Sequence, residues 1–86
     1  MQAIEFGESE ARASKPWIII HTDGACPQNG TKRARGGIGV YFGEDDPRNV
    51  SAPLTGPWQT AQRAEVSAVL SAIRTATDGP LLISTD

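Results

Sequence analysis

Two short apolar runs constrain this chain more than anything else in it. Ile18-Ile19-Ile20-His21-Thr22-Asp23-Gly24 and Leu81-Leu82-Ile83-Ser84-Thr85-Asp86 are each the length of a strand, and each carries Thr-Asp at its end. Residues 60 to 77 between them read as a helix, and two strands joined by a helical crossover are expected to be parallel. As neighbours in one sheet they bring Asp23 and Asp86 side by side at their carboxyl ends, where open α/β sheets bind ligands. Adjacent carboxylates repel unless a cation lies between them, so the pair points to a metal. Asp-Gly is also an ordinary turn pair at the end of a strand, so the argument needs the echo and the helix as well as Asp23.

Thr60 is a natural N-cap for that helix, and Asp78-Gly79-Pro80 supplies its stop, with Gly79 available for a left-handed cap. Helical winding puts Arg63, Ser67, Ser71, Arg74 and Thr75 on one polar arc. The remainder is apolar, from Ala61 and Ala64 through Val66, Ala68, Val69, Leu70, Ala72 and Ile73 to Ala76. Gln62 and Glu65 interrupt this arc near its N-terminal end. A buried carboxylate is costly unless it is paired, hydrogen-bonded or bound to metal. Glu65 therefore either overhangs the sheet into water at the favourable end of the helix dipole, or faces the ends of the two Asp-bearing strands. The apolar arc is nearly twice the roughly 100° stripe that one sheet face requires. Further cover is expected, and the chain reads as the front part of a larger domain or as a fragment with apolar surface exposed.

The other elements are shorter. Residues 1–16 lack sustained periodicity and read as a polar arm or linker ahead of one domain over 17–86. The first strand is expected over Trp17–Thr22, apolar on both faces apart from His21, as in a central strand covered on both sides, with Gly24 breaking it. A loop over 25–35 carries Lys32, Arg33 and Arg35. Strands are expected over Gly36–Phe42 and Asn49–Leu54, separated by the acidic turn Gly43-Glu44-Asp45-Asp46-Pro47. Such short connections make an antiparallel meander.

At 86 residues the chain buries only about 60 to 65% of its surface. Its 38% hydrophobic and 21% charged content is that of an ordinary soluble domain. A net charge of -2 gives no general attraction to nucleic acid, so such a partner needs a local basic patch. Lys32, Arg33 and Arg35 are the local candidates, although loop charges of this kind are usually solvated. With Cys26 as the single cysteine no internal disulfide forms, which favours an intracellular setting, with nucleus, cytoplasm and organelle left open. The acidic N-terminal residues exclude an ordinary secretory signal. No run approaches the roughly 20 apolar residues of a membrane helix.

Asp23, Glu65 and Asp86 together form a hard, all-oxygen site suited to Mg²⁺ or Mn²⁺. Paired ions of this kind cleave phosphodiesters, so a hydrolase acting on a nucleic-acid backbone is the natural reading. Four segments carry a more specific signal: Thr22-Asp23-Gly24-Ala25-Cys26 with Asn29-Gly30, Gly37-Ile38-Gly39-Val40-Tyr41-Phe42-Gly43, Thr60-Ala61-Gln62-Arg63-Ala64-Glu65, and Ser84-Thr85-Asp86. In this order and spacing, from about Trp17 to Asp86, they resemble ribonuclease H type 1.

The resemblance implies an α/β fold with a mixed five-stranded sheet, of which a β-β-β-α-β portion is present and the C-terminal strand and helices are missing. It also implies cleavage of the RNA strand of RNA/DNA hybrids with two Mg²⁺ ions, by a protein that is a monomer when complete. By the same resemblance Asp23, Glu65 and Asp86 are three of four metal-binding catalytic carboxylates, with the Gly24 backbone as a further metal contact. Cys26, Asn29 and Gln62 match positions that touch the hybrid, and Thr60 matches a phosphate-pocket residue. His21 stands where the family usually has an aromatic residue and is read as packing. Two departures remove polar contacts to substrate: Ala61 replaces a common Asn, and Trp58 a common Arg. The alternatives at this point are a noncatalytic nucleic-acid-binding remnant and a small structural piece with solvated acids.

Overall fold

The computed structural model describes residues 2–6, 16–76 and 79–85. Its elements are β1 (Gln2–Phe6), β2 (Ile18–Ala25), β3 (Gly37–Tyr41), β4 (Val50–Pro53), α1 (Ala61–Thr75) and β5 (Leu81–Thr85). They build one mixed sheet of order β1-β5-β2-β3-β4. The loop between β2 and β3 and the turn between β3 and β4 give the expected antiparallel meander. The α1 crossover makes β2 and β5 parallel, in the register Ile18↔Leu81 to Thr22↔Thr85.

Helix α1 covers one face of β2 and β3. Its buried stripe is Ala64, Ala68 and Ala72, four residues apart. These small side chains let the helix axis approach the strands closely. Below them, Ile20, Val40, Leu81 and Ile83 are buried with Ala72 and Ala76, and Ile18, Phe42, Val50, Val69 and Ile73 pack at the margin. Each such aliphatic side chain contributes about 1.5–3 kcal/mol through its removal from water. Thr60 caps the helix as its sequence predicts, its hydroxyl accepting from Arg63 N at 3.1 Å. The helix ends at Ala76, which is extended and still donates its N–H to Ala72 O at 3.0 Å. Thr77 and Asp78 lie outside the described residues.

Three sequence expectations change. Strand β2 is central but, among the described residues, covered on one face only, so exposure alternates along it: Ile20 is buried while Ile19 is 53% exposed. Gly24 does not break the strand. It pairs with Ile38, and Ala25 continues the ladder opposite Gly37. Finally, Gln2–Phe6 of the expected N-terminal arm forms β1, antiparallel to β5 from Gln2↔Thr85 to Phe6↔Leu81. The edge of β5 turned away from β2 presents a row of backbone donors and acceptors, and pairing with β1 satisfies them.

Candidate active site

The site is built where β2 meets the first turns of α1. A Cβ placed on Gly24 would collide with the backbone of Ala64 and Glu65, lying only 2.5 Å from Ala64 O. Only a residue without a side chain lets the helix sit this close. The consequence is positional: Glu65 in α1 is brought next to the residue that follows Asp23 in β2. Both Asp23 and Glu65 are exposed. Neither carboxylate has a hydrogen-bond or ion-pair partner among the described residues, so both remain available to a ligand.

Asp23 also lines two depressions on the open side of the sheet. The larger, about 590 Å³, is bounded by Asp23, Arg35, Gly39, Ser51 and Pro53. The smaller, about 240 Å³, lies among His21, Asp23, Tyr41 and Ser84. The glycines of β3 keep the floor of the larger one low, and Arg35 is the cation beside it.

The donor set fits a hard divalent cation such as Mg²⁺ or Mn²⁺, because Asp23 and Glu65 offer carboxylate oxygens. Two residues are short of a complete shell. No cluster of three His, Cys, Asp or Glu side chains that could hold a metal occurs among the described residues. Asp86, the third expected ligand, lies outside them. The β2–β5 register is described as far as Thr22↔Thr85, the residues immediately before Asp23 and Asp86.

The expected substrate residues gather around the start of the helix. Asn29 Oδ1 accepts from Ala61 N at 3.1 Å, which ties the loop after β2 to the first turn of α1. Thr60 is half-buried and spends its hydroxyl on the cap. Gln62 is exposed beside them, and Cys26 is half-buried with its thiol 4.0 Å from Pro27 O. His21 is exposed rather than packed in the core, and its ring lies 6.4 Å from that of Tyr41, its partner across the β2–β3 ladder.

Two residues gain roles that the sequence alone does not assign. Arg63, expected on a solvated arc, reaches back from α1 to Thr55 O at 3.0 Å and to Trp58 O. Gln59 accepts from Gly36 N at 2.6 Å and donates to Leu54 O at 2.9 Å and Gly56 O at 2.7 Å. Together they fix the connection from β4 to α1. The signal in the sequence is slight: Gly56, which takes φ 87° here, and Pro57 mark a turn that something must hold.

Comparison with known proteins gives a consistent result. Ribonuclease H of Schizosaccharomyces pombe is 47% identical over 68 residues, covering 79% of this chain and 25% of that protein. Mouse ribonuclease H1 is 55% identical over 56 residues, 65% of this chain and 19% of the relative. Human ribonuclease H1 is 48% identical over 60 residues, 70% of this chain and 21% of the relative. The chain thus spans a quarter or less of the length of these relatives. The family model described as RNase H matches residues 15–86, which takes in β2 to β5, the helix, Asp23 and Glu65, and by that match the chain belongs to the RNase H family.

Proposed function

We propose that this chain contributes the front part of an endoribonuclease site that hydrolyses the RNA strand of RNA/DNA hybrids. The observation that carries the reading is the close approach of α1 to Gly24, which sets Glu65 against the residue after Asp23, with both carboxylates exposed and Asp23 lining an open cavity. Asp86 follows Thr85 directly and is the third carboxylate in this reading. The three side chains would hold two Mg²⁺ or Mn²⁺ ions. When bound, such a pair supplies an activated water and neutralises charge on the departing 3′-oxygen.

The remaining residues act on substrate without metal. Asn29 and Gln62 each offer a donor and an acceptor, the chemistry needed to read a 2′-hydroxyl and so distinguish RNA from DNA. Arg35 places a positive charge beside the cavity, where a phosphate would arrive. Cys26 lies at the start of the same loop as Asn29.

The test is cleavage of a labelled RNA/DNA hybrid with Mg²⁺, by this chain and by the same chain carrying Asp23→Asn. Metal-dependent cleavage that the substitution reduces by at least 10²-fold supports the proposal, this being an effect comparable to losing a single electrostatic stabiliser elsewhere. Equal rates for the two forms would remove it. A second reading is that the same surface binds the hybrid without turnover. Binding of hybrid by a folded chain that never cleaves under Mg²⁺ or Mn²⁺ would select it.

A further inference from the structure

Trp58 is 74% exposed, more than any other exposed large apolar residue of the described chain. Leaving an indole in water is unfavourable, and a mobile loop would let it fold down onto neighbouring apolar surface. Its backbone has no such freedom. Arg63 holds the carbonyls of Thr55 and Trp58, while Gln59 holds Leu54 O and Gly56 O and accepts from Gly36 N. Five hydrogen bonds therefore brace residues 54–59 with the ring outward. A pre-braced aromatic side chain has little entropy left to lose on contact with a partner, since only two torsions remain to be fixed.

Its location indicates the partner. Gly36, the donor to Gln59, also lines the 590 Å³ cavity beside Asp23 and Arg35. Thr60 and the Asn29–Ala61 contact follow within three residues. The ring thus stands on a loop anchored to the rim of the candidate active site. An uncharged indole cannot hold a phosphate by charge, but it offers a flat apolar face to a sugar or a base, whatever the sequence.

We propose that Trp58 is a substrate-positioning residue whose indole packs on a sugar or base face of the nucleic-acid strand entering the Asp23 cavity, giving the chain a grip on substrate that does not depend on salt. This rests on the nuclease reading and names the kind of contact that serves it.

The experiment uses the full chain with Trp17→Phe, which leaves Trp58 as the single tryptophan, and with Asp23→Asn to prevent cleavage. RNA/DNA hybrid is titrated in Mg²⁺ at several salt concentrations. Expected are a change in tryptophan fluorescence on binding and a Kd about tenfold weaker in Trp58→Ala, with most affinity recovered in Trp58→Phe. The slope of log Kd against log salt should match the parent in Trp58→Ala, but steepen by about 0.9 in Trp58→Arg, as one added phosphate contact does. A merely structural role would not steepen the slope in Trp58→Arg while leaving it unchanged in Trp58→Ala. Hybrid binding with unchanged fluorescence and unchanged affinity in Trp58→Ala overturns this proposal and leaves the nuclease reading standing. No hybrid binding by the Trp17→Phe/Asp23→Asn chain overturns both.

Discussion

A single missing side chain decides whether the candidate site exists. The hydrogen of Gly24 faces the backbone of Ala64 and Glu65 with no room for a carbon atom. Since neither backbone can yield as a flexible side chain would, Gly24→Ala must push α1 away from β2 and take Glu65 with it. The expected cost is about 1–3 kcal/mol of stability, the usual scale of overpacking. Metal-dependent cleavage, where the full reaction is measured, should fall further than this loss of folded protein explains. Urea melts and rates compared on the same preparation check both parts; equal stability and equal rates would contradict the packing argument. The sequence already named Asp23 and Glu65, because acids at a strand end and on an apolar helix face are out of place unless something uses them. It read Gly24 only as a strand breaker. A glycine that turns the chain and a glycine that admits a helix look alike until the second element is in place.

At the scale of elements, the β3–β4 hairpin carries its own electrostatic clasp. Arg48 donates to Asp46 through Nε at 3.0 Å and Nη2 at 2.8 Å, and through its backbone N–H at 2.8 Å. Its guanidinium carbon lies 4.2 Å above the Phe42 ring. Asn49 closes the same turn, accepting from Phe42 N and donating to Gly43 O, both at 2.7 Å. The side-chain hydrogen bonds from Arg48, followed by its backbone N–H, lower Asp46 from 3.8 to about 2. A carboxylate depressed by folding stabilises the folded hairpin above its unfolded value and loses that contribution as pH falls through the folded one. The clasp should therefore hold at pH 5 and release between about pH 4 and pH 2. Carboxyl-carbon NMR of Asp46 reads this directly, and Arg48→Gln should return its midpoint toward the ordinary aspartate range. From β2 onward, element type and order were legible from apolar runs, turn residues and the Thr60 cap, as was the parallel pairing of β2 with β5, whereas β1 was not. The arginine contacts were not. Arg48 and Arg63 read as surface charge in any pattern of polar and apolar residues, and their partners are a nearby carboxylate and backbone carbonyls that only the folded turns present.

Among the described residues, packing is from one side. Its buried aliphatic residues lie between α1 and one face of the sheet, while Ile19 and Tyr41 on the other face are 53% and 49% exposed, and Val66 and Leu70 on the outer side of α1 are 59% and 43% exposed. The overly wide apolar arc of the helix foretold the second of these surfaces. The first was hidden, because a run of three isoleucines reads the same whether one sheet face or both are covered. This asymmetry separates apolar residues that hold the fold from those that do not. Ile83 is fully buried between strands and helix, so Ile83→Ala should remove about 2–5 kcal/mol. For a domain whose total stability is on the order of 5–15 kcal/mol, and at the low end for a chain this small, that loss should leave much of the population unfolded at room temperature. Leu70→Lys, on the exposed side, should shift stability by no more than about 0.5 kcal/mol. Urea denaturation followed by circular dichroism distinguishes the cases, with the midpoint moving and the slope preserved if each change acts on the native state alone. Comparable losses for the two variants would mean that the outer side of α1 is covered in solution, and that the one-sided core is not the whole of what holds the chain together.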